Sequence, residues 1–313
     1  MTTQPRHHRP VLLAEAVEGL NVQNSGFYID GTFGRGGHAA AVLSKLGPEG
    51  RLWLVDQDPE AIAAARESFG NDGRCRIIHG SFASLGEWLA AEGLVAQVNG
   101  VLLDLGVSSP QLDEADRGFS FMRDGPLDMR MNTTEGPTAQ QWLAETEEKE
   151  IARVLKVYGE ERFARRVAAA IREARDQDGL PSTTLELANL VAAAIPRQDR
   201  HKHPATRSFQ AIRIAVNGEL KSLERFLAGV ADWLAPHGRL AVISFHSLED
   251  RMVKQAIRGS AAASHLPPGI PVMADELKPR LRAVGKAVRG SESDAEDNPR
   301  ARSAVLRVAE KVA

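Results

Sequence analysis

Cysteine occurs once in the 313 residues, at Cys75. A single thiol excludes an intrachain disulfide and a cysteine-rich metal site, as expected of a chain that works in a reducing compartment. Cys75 itself reads as a strand residue, and no metal site is expected. Long hydrophobic runs are also missing: nothing approaches the roughly 20 uncharged apolar residues of a membrane span. Met1 to Gly19 mixes His7, His8 and Arg9 with acids and does not build a signal sequence. The expectation is a soluble, cytoplasmic protein with no membrane partner. Charge of one sign is lacking too, with 39 Lys and Arg against 41 Asp and Glu. This balance excludes a polyelectrolyte that grips nucleic acid over its whole surface, although acids elsewhere can mask a local basic patch. There is no internal repeat of solenoid length, and the one compositionally odd stretch, the Ala, Ser, Pro and Gly run from Gly259 to Pro271, reads as a loop.

What is present is an ordinary apolar fraction of 43%, enough for one large core plus an insertion at this length. Four apolar runs bounded by Gly or acids, Phe27–Phe33, Arg51–Asp56, Cys75–His79 and Gly100–Leu105, read as parallel strands. Ala39–Leu46 and Pro59–Phe69 have helical composition between them, giving the alternation of a doubly wound sheet. A fifth run, Arg239–Phe245, belongs to the same set. The distance from Leu105 to Arg239 is several times the roughly 30 residues of a simple crossover, so something is inserted. Thr138–Val157, Glu160–Arg175, Thr184–Ile195 and Phe209–Leu234 carry helical periodicity there, and Thr183 to Glu186 has capping-box spacing. The expected organisation is a sheet domain over residues 1–108 and 218–313, with a helical substrate-recognition subdomain over 109–217. Ser247 to Asp250 has capping-box spacing and opens a helix through Ile257. Arg282–Val288 and Ser303–Ala309 are expected to pair antiparallel and close the sheet edge.

The first strand runs into Asp30-Gly-Thr-Phe-Gly-Arg-Gly-Gly-His38, whose glycines at 31, 34, 36 and 37 let the backbone turn tightly and approach a ligand. Gly34-x-Gly36-x-x-Ala39 satisfies a dinucleotide fingerprint, and Asp56 lies about 20 residues on. A nicotinamide cofactor and S-adenosylmethionine both need such an acid for ribose hydroxyls, with Asp58 the close alternative. Asp30 tilts the balance to S-adenosylmethionine, because a carboxylate at the loop mouth repels a pyrophosphate and attracts the ammonium of a methionine moiety. The loop lacks the Gly-Lys-Ser/Thr ending of a nucleotide triphosphate cradle.

The fourth strand ends in Asp104-Leu-Gly-Val-Ser-Ser-Pro-Gln111, an acid and a loop of small residues where open sheets bind ligands. Methyltransferases of exocyclic base amines often carry a small or acidic residue, two prolines and an aromatic here. This loop has one proline, and Gln111 stands where an aromatic might stack. Arg197, Arg200, Lys202, Arg207 and Arg213, with His201 and His203, form the densest basic stretch and are taken as the RNA face, although Asp199 interrupts it. Arg162 to Arg175 also reads as a basic helix, its arginines alternating with Phe163, Val167 and Ile171 in a simple amphipathic pattern. His246, after the fifth strand, is open to either a structural or a substrate contact.

The blocks His8-Arg-Pro-Val-Leu-Leu13, Asp30 to His38, Asp104 to Gln111, Arg117-Gly-Phe-Ser-Phe121, Leu127-Asp-Met-Arg130, His203-Pro-Ala-Thr-Arg-Ser-Phe-Gln210, Ile243-Ser-Phe-His-Ser-Leu-Glu-Asp250 and Asn298-Pro-Arg-Ala-Arg-Ser303 together resemble the MraW or RsmH family. Its members are bacterial 16S ribosomal RNA methyltransferases that modify the N4 amine of a cytidine in the decoding region. The resemblance implies a class I S-adenosylmethionine-dependent fold: a Rossmann-like sheet with an antiparallel terminal hairpin strand and an inserted helical subdomain. It also implies that Gly36, Gly37 and His38 contact the cofactor, that Asp56 holds its ribose, that Phe82 and Asp104 flank the adenine and that Gln111 completes the pocket. The substrate would be 16S rRNA, within an assembled small subunit. The amine's protons need acceptors, expected from Asp104 and from the following loop, either a backbone carbonyl or the Ser109 hydroxyl. Two readings from other classes stay open on the residues alone: a nicotinamide-dependent oxidoreductase, and a non-catalytic ribosome assembly factor.

Overall fold

The computed structural model describes residues 10–177, 179–196, 203–259, 280–291 and 298–312. Eight strands, β1 (Phe27–Asp30), β2 (Arg51–Asp56), β3 (Cys75–His79), β4 (Val98–Asp104), β5 (Leu234–Ser244), β6 (Leu281–Ala283), β7 (Val288–Arg289) and β8 (Val305–Lys311), form one sheet in the order β3-β2-β1-β4-β5-β8-β6, with β7 also on β8. The first five are parallel, and β8 runs antiparallel along β5. In chain order the helices are α1 (Leu13–Leu20), α2 (Gly37–Leu43), α3 (Pro59–Phe69), α4 (Leu85–Ala91), α5 (Ser109–Asp113), α6 (Ala139–Glu145), α7 (Glu148–Tyr158), α8 (Ala164–Asp176), α9 (Thr184–Ala194), α10 (Thr206–Asn217), α11 (Glu219–Trp233) and α12 (Ser247–Ile257).

Two compact units result, Met1–Gly106 with Leu220–Ala313, and Val107–Glu219. In the first, the strands are apolar on both faces because helices cover both. Leu52, Leu54, Leu102, Ala241 and Ile243 pack against Val17, Leu20, Val42 and Ala65 from α1 to α3. The alternate residues Trp53, Val55, Leu103 and Val242 pack against Leu89, Phe226, Val230 and Val253 from α4, α11 and α12. At about 1.5–3 kcal/mol for each fully buried aliphatic side chain, this two-sided burial fixes the register that brings the strands' carboxyl ends into one row. The second unit has its own core, in which Leu143, Ile151, Leu155, Val167, Ile171, Leu187 and Ile212 meet. Asn217 bonds the Met129 carbonyl at 2.8 Å and the Met131 amide at 2.7 Å, tying the end of α10 to the preceding loop.

Several boundaries differ from the sequence expectation. Thr138–Val157 is two helices, because Thr146 and Glu147 are extended. Phe209–Leu234 divides at Gly218, whose φ of +60° ends α10. The expected strand Arg282–Val288 is two short pieces on one edge of β8, separated by Gly285 at φ +69°, a left-handed conformation that breaks a ladder. The cap of α12 is His246, one residue before Ser247: its Nδ1 accepts from the Glu249 amide at 3.5 Å, and the Glu249 carboxylate accepts from His246 N at 3.3 Å. By contrast, Thr183 and Glu186 form the expected capping box of α9. Beyond Gly259, the Ala, Ser, Pro and Gly run lies outside the described residues. Among the described residues, no helix is long and apolar enough to cross a membrane, and no cluster of His, Cys, Asp or Glu could hold a metal ion.

Candidate active site

Three carboxylates end three adjacent strands: Asp30 on β1, Asp56 on β2 and Asp104 on β4. The loop after β1 weaves between them. Asp56 accepts from Gly34 N at 2.8 Å with one oxygen and from Asp58 N at 2.9 Å with the other. Thr32 accepts from Asp104 N through its hydroxyl at 2.6 Å, and Asp30 accepts from Thr32 N at 3.2 Å. Gly36 caps α2 at φ +78°, and a Cβ there would strike the Phe33 and Phe69 rings. A Cβ on Gly37 would lie 2.2 Å from Pro10, so this glycine makes room for the segment that precedes α1. A Cβ on Gly31 would come within 2.5 Å of Leu103 and 3.3 Å of Phe82. Phe82, just after β3, packs edge-on against Phe226 with centroids 5.7 Å apart.

His38 is buried in the first turn of α2. Its Nε2 lies 3.2 Å from the Val11 carbonyl, which can only accept, so Nε2 carries a proton. Nδ1 faces an Asp104 oxygen at 3.8 Å. The other oxygen of Asp104, and Oδ2 of Asp30, are buried with no hydrogen-bond partner among the described residues. Desolvation pushes the Asp104 pKa up, with His38 and Arg300 holding it down and Glu249 adding to the rise. Burial drives Asp30 up to about 7, opposed by the Thr32 bond and reinforced by the Asp104 and Asp56 charges. Asp56 is raised to about 6, again by desolvation first, despite the amides that hold it.

The remaining sequence candidates fall in the second unit. Ser109 opens α5, while Ser108 before it caps the helix; the Gln111 side chain is buried and accepts from Ser108 N at 2.8 Å. Arg197, Arg200 and Lys202, with His201, lie outside the described residues. His203 stacks on Phe121 at 4.6 Å, Arg207 is exposed, and Arg213 is engaged by Glu219 in a two-point ion pair at 2.8 and 2.9 Å. Arg213 is therefore not a free cation.

The sequence matches the MraW methylase family over residues 5–312. The chain belongs to that family. A relative from Halorhodospira halophila, the ribosomal RNA small subunit methyltransferase H, is 55% identical over 97% of this chain and 94% of its own length. Among solved structures, an rRNA methylase from Streptococcus thermophilus aligns at a TM-score of 0.40 with 10% identity, and a Streptococcus mutans methyltransferase candidate in complex with SAH at 0.41 with 11%, each over 100% of both chains. The assignment rests on the family match and the Halorhodospira relative.

As an MraW methylase the chain has a class I methyltransferase fold and uses S-adenosylmethionine. The residues present suit that cofactor: a buried, unpartnered carboxylate oxygen on Asp30 for an ammonium, a glycine turn at positive φ, and an acid at the end of β2 with acceptor capacity left for a ribose. Family membership sets aside the oxidoreductase alternative, which had rested on features that both cofactors share. Sequence reasoning missed Thr32, which fastens the glycine loop to β4, and Arg300, whose guanidinium covers Phe245 at 4.6 Å and acts electrostatically on Asp104. Both sit inside blocks that carried the family resemblance, the only signal that marked them.

Asp30 gives a pH-dependent prediction. Its folded pKa stands above the ordinary 3.8, so the folded state retains a proton that the unfolded chain releases, and stability falls as pH rises through the window from about 4 to 7. Asp30→Asn removes that slope. In chemical unfolding without cofactor, the variant is expected to gain about 2 kcal/mol at pH 8 and nothing at pH 4, while binding S-adenosylmethionine more weakly. Equal stability of the two proteins at pH 8 would contradict the assignment.

Proposed function

We propose that the chain methylates ribosomal RNA of the small subunit, at the exocyclic N4 amine of a cytidine in the decoding region of 16S rRNA, with the assembled subunit as substrate. The observation that carries this reading is the Asp104 carboxylate, desolvated and with one oxygen unpartnered, at the strand end next to the glycine loop. The relative's action on small-subunit rRNA and the family blocks supply the substrate. Gly36, Gly37 and His38 would line the cofactor, Asp56 would hold its ribose, Phe82 and Asp104 would flank its adenine, and Gln111 would complete the pocket.

Bound S-adenosylmethionine supplies a methyl group already activated by its sulfonium. The task of the protein is to align that group with the amine and to take up one proton. Transfer of the methyl group, with the sulfonium leaving as a neutral thioether, would leave the amine nitrogen with one N–H proton to lose. Asp104 receives that proton. Its raised pKa makes it a better acceptor than a solvated aspartate, and no stronger base is needed because the methylated amine is acidic until it loses the proton. His38, held by Val11 with Nδ1 toward Asp104, acts on that carboxylate and holds its pKa down. Ser109, at the start of α5 five residues further along the chain, would offer a second acceptor for the amine. Extrusion of the base from its stack precedes all of this, and His203, Arg207 and the basic residues Arg197, Arg200 and Lys202 would hold the flanking backbone, with Arg213 kept in its ion pair.

The test is transfer of labelled methyl to undermethylated small ribosomal subunits, with subunits that already carry the methyl group as control. No label in the undermethylated particles would end the proposal. A finer prediction concerns His38. In His38→Gln the ring's attraction for the ionised carboxylate is lost, so Asp104 holds its proton to higher pH. The acid limb of the single-turnover rate profile is expected to move upward in pH, while the plateau rate falls less than about tenfold. An unmoved limb would mean that His38 does not act on Asp104.

A further inference from the structure

The second unit distributes its arginines unevenly. Arg117, Arg123 and Arg175 donate to backbone carbonyls, and Arg130, Arg153, Arg172 and Arg213 sit in ion pairs with Asp128, Glu150, Glu148 and Glu219. Four others, Arg162, Arg165, Arg166 and Arg207, are exposed, and their side chains enter no ion pair or hydrogen bond among the described residues.

Chain path and packing bring the backbone of these four to the junction of α7, α8 and α10. The start of α10 is pressed against the end of α7: a Cβ on Gly159 would lie 2.5 Å from the Arg207 carbonyl oxygen, and Gln210 Nε2 donates to the Tyr158 carbonyl at 3.1 Å. Three residues after Gly159 the chain reaches Arg162, in the turn that leads into α8, and Arg165 and Arg166 follow in the first turn of that helix. One exposed acid, Glu160, shares the corner; Glu161 is buried and spends its carboxylate on Phe163 N at 2.8 Å. The first turn of α8 contains no acid, so Glu160 is the one exposed acid beside four cations, and the placement of Arg165 and Arg166 at the positive end of a helix raises the folding free energy. A purely structural helix would pair or relocate them, as the rest of this unit does.

We propose that Arg162, Arg165, Arg166 and Arg207 form a phosphate-binding corner that grips the RNA backbone. The inference rests on the functional reading above. Guanidinium forks match phosphate oxygens two at a time, and several neighbouring cations without acids suit a run of phosphodiesters. An acidic protein surface on the ribosome is the competing occupant.

The experiment compares the unaltered protein with a variant carrying Arg162→Ala, Arg165→Ala, Arg166→Ala and Arg207→Ala, and with Arg172→Ala, in which a paired arginine is removed. The probes are rRNA extracted from undermethylated small subunits and the subunits themselves, titrated across a range of salt. For the fourfold variant, affinity for extracted rRNA should fall at least about tenfold near 100 mM salt. The slope of log Kd against log salt should flatten by about one per arginine removed, with S-adenosylmethionine affinity kept and thermal stability kept or raised. Lysine at the same four positions should restore the slope, and Arg172→Ala should leave it unchanged. An unaltered slope and affinity for rRNA would overturn the inference, as would weakened binding to subunits with normal binding to extracted rRNA, which would identify a ribosomal protein as the partner. Were the unaltered protein to bind rRNA through this corner yet transfer no methyl group, the functional reading would fail and the corner would stand.

Discussion

Asp104→Asn is expected to slow methyl transfer to small ribosomal subunits by about 100-fold or more in single turnover, the usual contribution of a positioned proton acceptor. The substitution keeps shape. The Asp104 backbone amide still donates to Thr32, a bond of 2.6 Å that does not involve the side chain, so the glycine loop remains attached to β4. Stability should hold or rise, because a desolvated carboxylate with an unpartnered oxygen is replaced by a neutral group. S-adenosylmethionine affinity should change less than about tenfold, since the proposed adenine contact would survive an isosteric exchange. A rate near that of the unaltered protein would remove Asp104 from the proton path; a collapse of cofactor binding with an unchanged rate at saturation would make it a binding residue only.

Asp56→Ala carries the second large effect, a loss of about 100-fold in S-adenosylmethionine affinity by calorimetric titration. A carboxylate offers about four acceptor positions, and amides of Gly34 and Asp58 take two, at 2.8 and 2.9 Å. The Gln57 backbone also acts on this carboxylate, and the acceptor capacity left over would serve ribose hydroxyls, where a bond to a charged group contributes about 1.5–3 kcal/mol. Removing the side chain deletes those contacts and also releases Gly34, so the loop loses its fixed shape. Asp58 supplies the comparison. Its side chain accepts from Glu60 N at 3.0 Å as the cap of α3, so Asp58→Ala should cost about 1 kcal/mol of stability and leave cofactor affinity close to normal. The reverse pattern would transfer the ribose role to Asp58.

The contrast between those two aspartates shows where sequence reading stops. Asp56 and Asp58 are equivalent as letters, and only the loop's path through Gly34 separates their jobs. The inner parallel strands were readable because burial on both faces demands continuous apolar runs, as in β2; β3, at the sheet edge and without a buried residue, also coincides with the run expected for it. Glu186 was readable as a capping partner because the rule is local. The Arg213–Glu219 pair spans a helix end and a glycine turn, so no local spacing announced that this arginine was spoken for. His246, open in the sequence to either a structural or a substrate contact, caps α12, a task for which histidine is an uncommon choice. Thr32 and Arg300 act through contacts to residues distant in sequence, and periodicity carries no trace of such contacts. For the basic stretch, Arg207 is the member placed in the exposed corner, together with arginines of α8 that amphipathic patterning had made look ordinary.

The central claim is that the methyl group lands on a cytidine amine of small-subunit rRNA. Undermethylated small subunits treated with this protein and labelled S-adenosylmethionine would be digested to nucleosides and separated by mass. Label recovered as N4-methylcytidine from the decoding region is the predicted result; label on a ring carbon, on another base or on a ribosomal protein would contradict it.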